Sequence, residues 1–166
     1  MPITINASTS SGLVVTPDNS GNVLLQYNGQ SAPAFSAYQP SGSAQSITAN
    51  TWTKINFQNE EFDTNNNFAS SRFTPTVAGY YQLGAVINCN FGSTQALVSF
   101  YKNGSEFLRG ININSSTAGG GCFGLMYLNG STDYVEVYLL TSVTGSLDAD
   151  TGAHRVRFDG CLLRGA

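Results

Sequence analysis

The chain has 166 residues, only 10% of them charged, with a formal net charge of −3 and a pI near 4.8. That length suits one domain whose core needs no disulfide or metal staple. The charge excludes a basic stripe that gathers counterions from nucleic acid, and no apolar run reaches the ~18 residues of a membrane span. Gly, Ser, Thr and Asn are abundant and every strand candidate is short, the profile of an all-β protein with a neutral, hydroxyl-rich surface.

Residues 1–33 read as an N-terminal arm. Leu13-Val14-Val15-Thr16 and Asn22-Val23-Leu24-Leu25-Gln26-Tyr27 flank the turn cluster Pro17-Asp18-Asn19-Ser20-Gly21, a β-hairpin pattern. A lone hairpin is marginal in water, so the arm is expected to pack against other copies or a larger assembly, with residues 28–33 as the hinge into a domain over 34–166.

From Ala34 onward the apolar period is two, not 3.6. Tyr81, Leu83, Ala85, Ile87 and Cys89 share one strand face; Val135, Val137 and Leu139 share another; Val156, Phe158 and Leu162 share a third. Asn103-Gly104 and Asn129-Gly130 each separate two such runs and read as tight hairpin turns. Strands are expected near 80–89, 96–102, 105–111, 121–128, 133–142 and 154–163. If they alternate in direction, both Asn-Gly turns share one end with the C-terminus. The longer connections at 90–95, 112–120 and 143–153 then fall at the other end. Loops carried on a rigid sheet concentrate binding groups. The candidate binding residues there are Phe91, an aromatic placed for stacking, and Asn114, Ser115, Asp148 and Asp150.

Cys89, Cys122 and Cys161 are 33 and 39 residues apart, which excludes the close pairs of zinc and redox motifs, and each sits in or beside an apolar run. They are expected as buried free thiols, and with no signal peptide visible, synthesis in a reducing cytoplasm is expected. Asn6, Asn103, Asn114 and Asn129 begin Asn-x-Ser/Thr sequons that read as turn composition. Catalysis has little to work with. His154 is the only histidine; it lies near Asp148 and Asp150 without a Gly-x-Ser-x-Gly elbow. Glu60, Glu61 and Asp63 are too close in sequence to face each other across a sugar, and read as a solvated strand edge. No catalytic residue is assigned.

Ser71-Arg72-Phe73-Thr74-Pro75-Thr76-Val77-Ala78-Gly79-Tyr80-Tyr81 resembles the Phe-Thr-x-x-x-x-Gly-x-Tyr signature of the globular head of complement C1q and its tumour-necrosis-factor-like relatives. Further resemblances run in order. Ala34-Phe35-Ser36-Ala37 is similar to the opening strand, residues 57–62 with Phe68 to the second block, and Lys102-Asn103-Gly104 to the hairpin. Residues 119–128 resemble the glycine-led strand, residues 130–137 the Gly-x-x-Asp-x-Val segment, and Phe158-Asp159-Gly160-Cys161-Leu162-Leu163 the closing strand. The resemblance implies a ten-stranded jelly-roll sandwich of two sheets and a homotrimer. Asp148 and Asp150 are then candidate calcium ligands, since three copies converging on a trimer axis would supply oxygen donors, as in some members of that family. No Asp-x-Asp-x-Asp-Gly loop accompanies them, and no metal or cofactor is assigned.

Neither a signal peptide nor a collagen-like Gly-x-y stalk is visible. Ile3-Thr4-Ile5-Asn6-Ala7-Ser8 leading into Gly12-Leu13-Val14-Val15 instead resembles the segments before C-terminal domains in tailed-bacteriophage fibre and appendage proteins. On residues 121–128, Phe123, Leu125 and Tyr127 alternate with Met126 and Leu128, which is expected to give one face to the core and the other to the three-fold interface. The expected function is a non-enzymatic trimeric virion surface protein. It attaches to other virion proteins through residues 1–33 and acts as a fibre or tail-tip head binding host glycan or protein. The alternatives are a capsid decoration protein that stabilises the shell and a secreted C1q-like lectin.

Overall fold

The computed structural model describes residues 26–27, 30–89, 91–92, 95–111, 119–147 and 154–166, and among these there is no helix. One sheet has five strands, in the order β12 (Gly119–Leu128), β9 (Gly79–Asn88), β15 (Val156–Gly165), β3 (Ala34–Tyr38) and β6 (Asn59–Asp63). The other has six, running β11 (Ser105–Arg109), β10 (Ala96–Lys102), β13 (Val135–Thr141), β8 (Arg72–Phe73) and β7 (Phe68–Ala69), with β5 (Thr53–Lys54) also paired to β13. Two small ribbons add β14 (Gly145–Leu147) to β4 (Gln45–Ile47) and β1 (Gln26–Tyr27) to β2 (Gln30–Ser31). All pairings are antiparallel, and the two large sheets form the jelly-roll sandwich that the sequence resemblance implies. The ten strands expected become eleven in these sheets, because the far edge of the second is broken into the two-residue pieces β5, β7 and β8.

Period-two alternation decides which side chains meet between the sheets. Tyr81, Leu83, Ala85 and Ile87 point inward from β9 and are fully buried, as are Val98 and Phe100 from β10 and Val135, Val137 and Leu139 from β13. Phenylalanines fill the centre: Phe35 stacks on Phe73 with ring centroids 4.3 Å apart and meets Phe158 edge-on at 4.9 Å. Such pairs add about 0.5–1.5 kcal/mol beyond the burial of their area. The signature segment is therefore structural. Phe73 enters the core, and the Tyr81 hydroxyl, its pKa pushed up by burial, donates to the Val77 carbonyl at 2.7 Å and closes the intervening turn.

Two expectations need correction. Asn103-Gly104 is a two-residue hairpin with both residues at positive φ, closing Lys102 onto Ser105, but Asn129-Gly130 is not a hairpin. It begins a crossover from β12 in one sheet to β13 in the other, and only Gly130 has positive φ. The Asn129 side-chain oxygen accepts from the backbone N–H groups of Ser131, Thr132 and Asp133, so a side chain replaces the strand ladder in closing this turn. Gln26–Tyr27 pairs with Gln30–Ser31 as a two-stranded ribbon of its own. The hairpin read over residues 13–27 otherwise lies outside the described residues. Cys89 and Cys122 are buried free thiols with pKa values raised by burial to about 11, whereas Cys161 is exposed because it falls on the outward face of β15.

Candidate recognition and assembly surfaces

Register fixes the two ends of the sandwich. Along β9 and β12, Gly79 faces Leu128 at one end and Asn88 faces Gly119 at the other; along β10 and β13, Lys102 faces Val135 and Ala96 faces Thr141. The 103–104 and 129–134 turns and the C-terminus therefore share a proximal end, with Ala166 N–H donating to the Ala78 carbonyl. Asn88 and Ala96, Arg109 and Gly119, and Thr141 and Val156 end or begin their strands toward the distal end, so the longer connections start and finish there. The N-terminal approach adds a fact the sequence did not supply. Ala34 lies opposite Cys161, Tyr38 lies opposite Arg157, and Leu162 N–H donates to the Pro33 carbonyl at 2.8 Å. The chain thus enters from the proximal side and runs toward the distal end.

At the distal end, Phe91 is half-buried and packs against the core. Its ring lies so close to Gly145 that a side chain there would meet it at 2.4 Å, so this face of the ring is taken by β14. Asn114, Ser115, Asp148 and Asp150 lie outside the described residues. Among the described residues no three His, Cys, Asp or Glu side chains converge as a metal set would. His154 stacks on Tyr38 at 3.9 Å, nearly parallel. Glu60 and Glu61 are exposed on the edge strand β6, while the Asp63 carboxylate accepts from the backbone of Asn65 and Phe68.

The proximal turns are locked by side chains. Asp133 accepts from the Asn103 amide at 2.7 Å, pairs with Lys102 at 2.9 Å and accepts from Asn129 N–H at 3.0 Å, while the Asn103 oxygen accepts from Tyr134 N–H. Burial works against the Asp133 carboxylate, but these donors and the Lys102 charge together hold its pKa below the ordinary value. Both Asn side chains that begin sequons here are committed to turn hydrogen bonds.

The outer face of the five-stranded sheet is apolar along one edge. Cys122, Met126 and Leu128 point into the core, and their alternates Phe123, Leu125 and Tyr127 are 61%, 55% and 43% exposed, with Tyr80 beside Tyr127 at 5.6 Å. Large apolar side chains on consecutive outward positions exceed what a solvated strand needs. On the opposite sheet, sequence reasoning missed a second grouping: Trp52, Tyr101 and Tyr138, which come together from a loop and two strands. Only the pairing of β10 with β13 brings Tyr101 and Tyr138 side by side.

The fold is a jelly-roll sandwich of the C1q/tumour-necrosis-factor-like kind. Three solved structures are similar over most of their length. The vertex protein P5 of PRD1 gives a TM-score of 0.60 at 19% identity, covering 80% of this chain and 97% of that one. The globular domain of zebrafish complement 1qA gives 0.56 at 18% identity, covering 81% and 99%, and murine APRIL gives 0.58 at 13% identity, covering 80% and 99%. No protein-family model and no curated protein matches the sequence.

Proposed function

We propose that the chain is a non-enzymatic, trimeric virion surface protein, mounted by residues 1–33 and presenting its distal loops to a host surface glycan or protein. The observation that carries this reading is where the head begins and ends. Pro33 and Ala34 lie on the proximal side with the C-terminus and the locked turns, and the strand ends that lead into the long connections lie at the opposite end. Assembly as a trimer is supported by the exposed stripe of Phe123, Leu125 and Tyr127. Placement on a virion is supported by the likeness to a phage vertex protein. That same likeness favours the second reading, a decoration protein seated on the shell.

Deleting residues 1–33 tests the mounting. The truncated head is expected to fold, with a cooperative thermal transition of its own, and to be missing from purified particles by immunoblot. Normal incorporation of the truncated head would remove the arm as the anchor.

A further inference from the structure

The outer face of the six-stranded sheet gathers aromatic rings and charge in a chain that is otherwise poor in charge. With Val98 and Phe100 of β10 and Val137 and Leu139 of β13 in the core, Tyr101 and Tyr138 turn outward. Their rings stack at 4.0 Å, Trp52 meets Tyr101 edge-on at 6.0 Å, and the Arg109 guanidinium lies 5.4 Å from the centre of the indole. All three aromatic residues are half-buried, so each keeps part of its surface in water.

The polar groups around the rings are held in place. Glu106 accepts from Arg109 at 2.7 and 2.6 Å and from the Ser99 hydroxyl at 3.0 Å, which fixes the guanidinium beside the indole. On the other flank the buried Glu136 pairs with Lys54 at 2.7 Å and Arg72 at 2.8 Å. The three cations share two carboxylates, so the charge of this face is held in ion pairs with one positive charge in excess. What the face offers is aromatic surface bordered by fixed acceptors and fixed donors.

A neutral hexopyranose has the complementary chemistry, with a C–H face that packs on an aromatic ring and a rim of hydroxyls that both donate and accept. We propose that this face binds a neutral hexose oligosaccharide, the sugar C–H face against Trp52 and its hydroxyls on Glu106, Arg109 and the tyrosine phenols. Because the ion pairs hold the side chains before ligand arrives, little ordering is left for binding to impose. The site goes beyond the distal-loop reading. It lies on the sheet opposite the one that carries the apolar stripe.

Trp52 is the chain's single tryptophan, so its fluorescence reports this face alone. The full chain is titrated with maltohexaose, cellohexaose and chitohexaose. The expected result is a saturable change in emission with at least one of them, and a loss of at least about tenfold in affinity, or about 1.4 kcal/mol, in Arg109→Ala. The Arg109 side chain is half in solvent, so its removal should spare the fold. Calorimetry on Trp52→Phe, with the sugar that responds, gives a second reading without the fluorophore and should show a similar loss. The proposal is overturned if none of the three sugars gives a saturable change at millimolar concentration. It is equally overturned if the response survives unchanged in Arg109→Ala, since the rings would then serve packing or a protein contact. A positive sugar titration together with normal adsorption by loop-substituted particles would count against the distal loops and leave this site standing.

Discussion

Lys102 pairs with Asp133 at 2.9 Å, tying the tip of one sheet's hairpin to the crossover between the sheets. Asn103 and the Asn129 backbone close on the same carboxylate, so one acidic side chain gathers the proximal turns. Replacing Asp133 with Ala would leave the Asn103 amide and the Asn129 backbone N–H without their acceptor, while the Lys102 ammonium loses its ion pair and keeps the Tyr127 carbonyl at 2.8 Å. Unmet buried donors cost about 1–3 kcal/mol each, and partial rehydration at this rim brings the expected total to about 3 kcal/mol. Urea denaturation of Asp133→Ala should show a lowered midpoint at unchanged slope.

Acid should weaken the fold through Glu136 and Asp133. Burial raises the pKa of Glu136, but hydrogen bonds and charge from Lys54 and Arg72 outweigh it, so its folded pKa lies below the ordinary 4.5; that of Asp133 lies below 3.8. A lowered folded pKa means that the unfolded chain binds more protons, so this stability is present above the ordinary values and is lost as pH falls through the folded ones. Thermal midpoints should be flat from pH 7 to about 5 and decline below about pH 4.5. Glu136→Gln should start lower at neutral pH and lose less on acidification.

The exposed stripe gives the assembly a direct test. Wild-type chain should scatter light as three times its 17.6 kDa mass. Leu125→Glu places a charge in the middle of the stripe and should yield a folded monomer with an unchanged circular dichroism spectrum. A wild-type monomer at micromolar concentration would refute the trimer.

Gly130 and Gly42 separate backbone strain from steric contact. Both have positive φ, +70° and +78°, but a side chain at Gly130 would meet the Ala78 nitrogen at 2.3 Å, whereas at Gly42 nothing lies within 4 Å. Gly42→Ala should cost about 1–2 kcal/mol, the left-handed penalty alone. Gly130→Ala should cost more, because backbone must move as well, and denaturant midpoints of the two variants should differ in that order.

What the sequence made legible follows from where its signals are local. Alternation placed Tyr81 through Ile87 and Val135 through Leu139 in the core, and Asn103-Gly104 made its hairpin, because side-chain period and turn dihedrals depend on neighbours in the chain. Asn129-Gly130 misled because the same dipeptide also serves a turn between sheets, and what decides is the Asn129 side chain meeting three backbone donors. Phe91 was legible as a loop aromatic, but not its contact with Gly145, 54 positions away. The Trp52, Tyr101 and Tyr138 grouping was hidden for the same reason: its members are neighbours only across strands.

The proposed presentation of the distal loops to the host is tested most directly by host adsorption of particles whose heads carry Gly/Ser replacements in residues 143–153. The account expects adsorption to fall by at least about tenfold while light scattering still reports a trimer and the particles keep their resistance to heat and osmotic shock, since three weak sites on one head act through avidity. Unchanged adsorption by particles lacking the protein altogether, accompanied by shells that open more readily on heating, would contradict it and assign the chain to shell stabilisation.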